Sequence, residues 1–499
     1  MNKLYSLQNG TDIRGVAYYD ENIGLEKTLL DQDVSDIVLG FATWILNKTN
    51  DKKIKIALGM DSRITGEHFK KVAMDTLSKA GVDVYDCSLA TTPAMFMSTV
   101  MPGYECDGAI MFTASHMPYI YNGLKIFTEK GVLEKNELKE VLDIAVSKKF
   151  INESEFRGNI TSRSLIEDYS KSLVKTIRSQ INSDVNFDKP LKNMKIIVDA
   201  GNGAGGFFAE KVLAELGADT DGSQFLDPDG MFPNHIPNPE NKEAMKSISE
   251  ATVKNKADLG IIFDTDVDRA AVVGNSGREI NKNALIALMS KIVLEETPGA
   301  TIVTDSVTSN GLTDFINKNG GKHHRFKRGY KNVINESIRL NEEGIFSPLA
   351  IETSGHAAMK ENYFLDDGAY IISKILVKAA VLNNQGKKIE DIIEGLDEAA
   401  ESKEKRFKIN REDFKSYGQE ILNDFKLFVS EQVDWKEVQK NYEGVRVDCL
   451  DNFEQGWLLI RMSLHEPILV LNVESDKNGG CEKIYSKIED FIKKYDITI

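Results

Sequence analysis

Three carboxylates stand within five residues in "DTDVDR": Asp264, Asp266 and Asp268, directly after the apolar run "LGIIF". Hard oxygen donors at this density suit Mg²⁺, which pairs a few protein carboxylates with a substrate phosphate. The stretch lacks the central glycine and distal glutamate of a calcium hand, and its plain alternative is a solvated acidic turn. On a straight strand only alternate side chains share a face, so aiming all three at one small ion needs a bent loop. Arg269 follows at once; it either neutralises the carboxylates as an ordinary ion pair or orients a phosphate.

A second candidate lies in "GAIMFTASHMPYIYNGLKIF", Gly108 to Phe127. Its Ser115-His116 pair suggests a hydrolase nucleophile, yet neighbouring side chains point apart in an extended segment, and a polar cap between strand and turn is the plain reading. Near the C-terminus, Arg461 and Ser463 of "RMSLHEP" offer a donor fork and a hydroxyl suited to a phosphate. The glycines of "DAGNGAGG" fit neither a dinucleotide fingerprint nor a P-loop, so a tight strand-to-helix turn is the better account.

The elements that carry these groups recur. "KIKIALGMDSR", a helical stretch and "CDGAIMFTASH" are followed by "MKIIVDAGNGAG", a helical stretch and "KADLGIIFDTDVDR". A third pass runs from "ATIVTDSVTSN" through "GLTDFINKNGGKHHRFKRGY" to "GIFSPLAIETSGH". Apolar strands without alternation, each followed by a helix, predict parallel sheets covered on both faces. Reactive loops then lie beyond the carboxyl ends of the strands, where Ser115-His116, Asp264 to Arg269 and Glu352 to His356 fall. Beyond residue 400 the alternating strands and terminal helices predict a smaller α+β domain.

The chain has 499 residues, 41% hydrophobic and 28% charged, which suits a soluble protein of several domains. A formal net charge of −15 argues against a nucleic-acid partner, but not against small anions met by locally concentrated cations. The four cysteines have no metal-like or CxxC spacing and read as reduced thiols. "MNKLYSLQNGTDIRG" has no signal-peptide core, and no run reaches the length of a membrane helix. A cytoplasmic location without membrane contact is expected.

The ordered set "GTDIRG", "TASHMPYIYNGLK", "HIPNPE", "DTDVDR", "ETSGH" and "RMSLHEP" resembles the α-D-phosphohexomutase superfamily over nearly the whole chain. That group includes phosphomannomutases, phosphoglucomutases and phosphoglucosamine mutases. The resemblance implies an α/β fold of four domains: three similar α/β units with mixed, mostly parallel sheets and a C-terminal α+β domain, heart-shaped around a central cleft. The boundaries are expected at 1–160 for the phosphoserine loop, 161–298 for the metal loop, 299–400 for the sugar loop and 401–499 for the phosphate loop.

The implied activity is reversible phosphoryl transfer between C1 and C6 of mannose or glucose phosphates, through a phosphoserine enzyme and a hexose 1,6-bisphosphate. Ser115 would carry the phosphoryl group and share Mg²⁺ with Asp264, Asp266 and Asp268. Arg14, Lys125, His116 and Arg269 would surround the transfer; Glu352, Ser354 and His356 would meet the sugar; Arg461, Ser463 and His465 would hold the distal phosphate. A free lysine, pKa about 10.4, is a base near pH 7 only where neighbouring positive charge depresses it, so Lys125 and His116 both stand as proton carriers. Small-molecule hexose phosphates are the expected partners, and a monomer or a homodimer the expected state.

Two departures bear on specificity. Leu464 and His465 replace the usual Gly-Thr of the phosphate loop, putting an imidazole where a hydroxyl is common. "DSVTSNGL" lacks a lysine found in several family members, and Tyr330 stands where a histidine is common; Lys327, Arg328 and Lys331 are candidates to compensate. A phosphoglucosamine mutase is the alternative within the family, and a non-catalytic sugar-phosphate-binding homologue the alternative outside catalysis.

Overall fold

The computed structural model describes residues 2–49, 53–151, 155–463 and 466–498. The chain folds into two compact bodies, Met1–Ile280 with Ser354–Ala357 and Leu365–Asp391, and Asn281–Thr353 with Ala358–Phe364 and Ile392–Ile499. No helix among the described residues is long and apolar enough to cross a membrane.

The first body holds two sheets. In the larger, Lys55–Met60 runs parallel to both Asp83–Leu89 and Gly108–Phe112. The strand Ile160–Ser162 extends this parallel part at its edge, so the sheet continues past residue 160. After the Ser115 turn the chain comes back as Tyr121–Thr128, antiparallel to Gly108–Phe112, and Asp12–Val16 lies antiparallel against it. The pairing sets Lys125 opposite Met111 and Arg14 opposite Gly123. A strand that re-enters after a short loop can only run back along its neighbour. The parallel pairs expected from the apolar runs therefore form one side of the sheet out to its edge, and the antiparallel strands on the other side carry the basic groups back toward Ser115. Helices Asp31–Thr49 and Lys135–Ser147 cover one face, burying Phe41 and Leu142 with Leu58 and Ile110.

The second sheet repeats the device. Ile196–Asp199 is parallel to Leu259–Phe263, the aspartate loop follows, and Ala270–Gly274 returns antiparallel. Ile197, Ile248, Ile262 and Val273 form its core. The glycine-rich turn after Asp199 serves close packing: a Cβ on Gly203 would sit 2.7 Å from the carbonyl oxygen of Thr265, and Ala204 N–H donates to that same oxygen at 2.8 Å. The turn thus braces the aspartate loop, and its helical continuation is a π-helical segment, Phe208–Leu213.

In the second body, Thr301–Thr304 is parallel to Lys322–Arg325 and to Leu349–Ile351. Helix Asn283–Glu296 groups with this body, whereas the boundary at 298 put it with the preceding domain. Asn283 Oδ1 accepts from Ser309 N–H at 3.1 Å, and the helix is apolar on nearly every side, so its sequence does not show which sheet it covers. The C-terminal sheet is antiparallel throughout, with helices Phe414–Ser430 and Gly480–Ile492 supplying Phe425 and Phe491 to its core.

Two expectations follow. A Cβ on Gly123 would lie 2.0 Å from the backbone oxygen of Ile13, so Gly123→Ala should lower the unfolding free energy by about 1–3 kcal/mol, measured by urea denaturation. In the second body His323 lies between Thr304 Oγ1 and Thr313 Oγ1, at 2.8 and 2.7 Å. Desolvation, then Arg325 and Arg446, hold its imidazole well below the ordinary range. A depressed imidazole stabilises the fold above the unfolded value of about 6.5 and loses that contribution as pH falls, with a slope of at most about 1.4 kcal/mol per pH unit. Thermal melts between pH 7.5 and 5 should therefore fall more steeply for the native chain than for His323→Gln; parallel slopes would refute the assignment.

Candidate active site

Ser115 is a buried residue in the left-handed conformation, φ 50°. Its N–H donates to Thr113 Oγ1 at 2.9 Å. The hydroxyl lies 3.3 Å from Asp264 Oδ2, 3.4 Å from Arg269 Nη2 and 3.4 Å from His116 Nδ1. The expectation that Ser115 and His116 point apart is therefore corrected: it presumed an extended segment, and the positive φ swings the two side chains together.

The aspartate loop turns at Val267, also left-handed at φ 67° and fully buried. A β-branched residue there is a genuine outlier. It is held by Gly368 N–H, which donates to the Val267 carbonyl at 3.1 Å. The bend brings oxygens of Asp264, Asp266 and Asp268 within 4.8 Å of one another. Lys125 donates to Asp266 Oδ2 at 2.9 Å and to Asp268 Oδ2, and Thr92 Oγ1 donates to Asp266 Oδ2 at 2.5 Å. The other oxygens, Asp266 Oδ1 and Asp268 Oδ1, are buried without a hydrogen bond among the described residues. Buried carboxylate oxygens are rarely left unsatisfied, and two orphans converging with Asp264 fit a divalent cation.

Arg269 closes the loop on its other side. Nη2 and Nε reach Asp264 Oδ2 at 3.0 and 3.1 Å, and Nη1 meets Asn238 Oδ1 at 3.4 Å and Glu240 Oε2 at 3.5 Å. The "HIPNPE" segment thus orients Arg269. His235 of that segment is itself tied to Asp199 at 3.0 Å.

Burial and the neighbouring Asp268 push the Asp264 carboxyl well up, against the pull of Arg269. Burial would also raise Asp268, but Lys125, His356 and Arg269 hold it far below the usual carboxylate range. Desolvation, Arg269 and Arg14 press the His116 imidazole well below its ordinary value although its outer edge is exposed. Its Nδ1 lies 2.8 Å from Arg269 Nη2, which donates to it. For His356 the cost of burial is outweighed by Asp366 and Asp268, lifting it to about 9.

Of the remaining expected residues, Arg14 donates to Asp12 at 2.8 Å. His356 joins the aspartate loop through a backbone bridge to Arg269, with Nδ1 at 2.6 Å from Asp366 and 4.0 Å from Asp268. Ser354 is buried in the same body. Glu352, Arg461 and Ser463 belong to the second body. There Glu352 accepts from Gly329 N–H at 2.6 Å, and Glu443 accepts from Arg328 N–H at 2.8 Å and from Ser306. Arg461 is buried on the strand Gly456–Met462 and its Nε has no hydrogen bond among the described residues. Glu466 N–H lies 3.4 Å from Ser463 Oγ. His465 and Leu464 lie outside the described residues. Sequence reasoning missed Asp61, Arg63, Thr92, Asp366 and Glu443; the "MDSR" that ends strand Lys55–Met60 was a local signal for the first two.

Repeated α/β sheets with polar loops after equivalent strands, one bearing a buried serine and the next a convergent carboxylate cluster, define the class as an α/β enzyme assembled from repeated units. Residues 7–152, 167–277 and 281–399 match, in turn, alpha/beta/alpha domains I, II and III of phosphoglucomutase/phosphomannomutase. The chain is 29% identical over 444 residues to a phosphomannomutase/phosphoglucomutase of Pseudomonas syringae pv. tomato, covering 88% of this chain and 87% of that protein. It is 28% identical over 485 residues to a phosphoglucomutase of Neisseria meningitidis serogroup A, covering 97% and 95%. The crystal structure of a phosphoglucomutase/phosphomannomutase family protein from Burkholderia thailandensis superposes with a TM-score of 0.80 at 25% identity, covering 99% and 98%. The chain belongs to the phosphoglucomutase/phosphomannomutase family and is an enzyme of the phosphohexomutase class.

The orphaned oxygens carry a prediction. Metal-stripped protein given Mg²⁺ or Mn²⁺ should gain about 2.7 kcal/mol of stability at a hundredfold excess over Kd, read as a rise in Tm. Asp266→Asn should abolish the rise; an undiminished rise in that variant would remove the cluster from metal binding.

Proposed function

We propose that the chain interconverts the 1- and 6-phosphates of mannose and of glucose by passing a phosphoryl group through Ser115. The observation that carries the residue assignment is the buried Ser115 hydroxyl at 3.3 Å from Asp264, beside two aspartates that each keep one oxygen without a hydrogen bond among the described residues. In this reading the bond from Ser115 Oγ to phosphorus breaks as the C6 oxygen of a hexose 1-phosphate attacks, and the hydroxyl proton leaves to a base. The product is a 1,6-bisphosphate. After it reverses its orientation, its C1 phosphoryl group returns to Ser115.

Arg269 and Lys125 supply fixed positive charge to a transfer that depends on positioning and neutralisation more than on covalent chemistry. Asp264, Asp266, Asp268 and the phosphoryl group on Ser115 would hold Mg²⁺, which when bound neutralises charge on the phosphoryl oxygens. Sugar hydroxyls fall to Glu352, Ser354 and His356, and the distal phosphate to Arg461 and Ser463; the buried Nε of Arg461, without a hydrogen bond among the described residues, supports an anion there. The four free, buried cysteines fit the cytoplasm, where thiols stay reduced.

Incubation with glucose 1,6-bisphosphate and Mg²⁺ should add one phosphoryl group, seen by intact mass and mapped to Ser115. Ser115→Ala should take up none and lose at least about 10³-fold in kcat. Coupled assays should show turnover of mannose and glucose 1-phosphates; turnover of glucosamine 1-phosphate alone would overturn the substrate assignment.

A further inference from the structure

One buried cation takes no part in that scheme. Arg63 is 2% exposed, and backbone carbonyls of the serine loop ring its guanidinium. Nη1 donates to Pro118 at 3.0 Å and Tyr121 at 2.9 Å; Nη2 donates to Met117 at 2.7 Å and to Ser115 itself. Nε faces Asp61 Oδ2 at 3.3 Å as an ion pair. Asp61, fully buried, accepts from Arg63 N–H at 2.9 Å and from Thr113 Oγ1 at 2.6 Å, and Thr113 Oγ1 in turn accepts Ser115 N–H at 2.9 Å.

Both backbone groups of Ser115 therefore end on one assembly, its carbonyl on Arg63 and its N–H on Thr113. Ser115 is the residue held left-handed at φ 50°. A sparsely populated conformation persists only where the surroundings over-determine it, and such residues cluster at functional sites. Removing the guanidinium would take one donor from each of the four carbonyls turned inward, leaving Pro118 with the Tyr121 N–H at 2.9 Å. A lysine would keep the charge but not the planar fork that serves four acceptors at once.

We infer that Arg63, backed by Asp61 and Thr113, is the positioning residue for the phosphoryl-carrying serine. It aims the Ser115 hydroxyl at the aspartate loop through the backbone. The inference rests on the phosphoserine reading above.

The test is steady-state kinetics on the full chain with Arg63→Lys, Thr113→Val and Thr113→Ser, alongside the time course of phosphoryl uptake from glucose 1,6-bisphosphate by intact mass. Displacing a reacting group by about 1 Å costs roughly 10²-fold. Arg63→Lys should lose that much in kcat while KM for the hexose phosphate stays within about threefold, and phosphoryl uptake should slow in parallel. Thr113→Val should fall in the same sense, and Thr113→Ser, which keeps the hydroxyl, should recover. Native kcat and uptake in Arg63→Lys would overturn the inference. If Arg63→Lys does not melt cooperatively, the Thr113 pair decides, and equal activity of Val and Ser would overturn it. Native protein that never acquires phosphate on Ser115 sinks the phosphoserine reading and this inference together; phosphorylated native protein with indifferent variants sinks this inference alone.

Discussion

Three carboxylates buried within 4.8 Å of one another repel, and burial strips away the water that would screen them. Such a cluster persists only if positive charge reaches it from fixed directions, and much of the first body serves that delivery. Lys125 arrives on the strand that returns from the serine turn, paired in register with the strand preceding it. Arg269 comes from the aspartate loop and is held off collapse by Asn238 and Glu240, which share its guanidinium. His356, charged through Asp366, adds a third cation at a longer distance. A net charge of −15 for the whole chain says nothing of this local balance, where cations are placed one by one.

The same balance explains the strained backbone. Ser115 and Val267 both sit at positive φ without being glycine, each in the loop between a parallel strand and the antiparallel strand that returns along it. A glycine would adopt either conformation more readily, but it would also let the loop relax away from it. Each residue is instead pinned: Ser115 by Arg63 and Thr113, Val267 by Gly368. The result is a serine hydroxyl that faces the carboxylate cluster at 3.3 Å.

How much of this was legible in the sequence follows from the range of each interaction. Strands, helices and polar loops are set by apolar runs and local spacing, so the repeats and the Ser115 and Asp264 to Asp268 loops could be read directly. The need for a bend in the aspartate loop was legible too, because alternation on a strand forbids three convergent side chains. That Val267 makes the bend was not, since no residue-type rule marks a buried valine as left-handed. The role of Arg63 was hidden for a different reason: beyond Asp61, its partners are backbone carbonyls 52 to 58 positions away, and carbonyls carry no letter. The allegiance of helix Asn283–Glu296 was hidden by its uniform apolarity, which fits any sheet.

Repetition gives the site its division of labour. Each repeat runs a parallel strand into a polar loop, and the loops carry, in order, a nucleophile-like serine, a carboxylate cluster and the Glu352 to His356 segment. The strand position is constant and the chemistry differs, so one scaffold supports three unlike loops. The third loop shows the limit of treating each repeat as self-contained. Ser354–Ala357 packs with the first body while Glu352 stays with the second, and His356 meets Asp268 from the position just before strand Ala357–Met359, bridged to Arg269. Contact, rather than chain order, decides which residues make up the site.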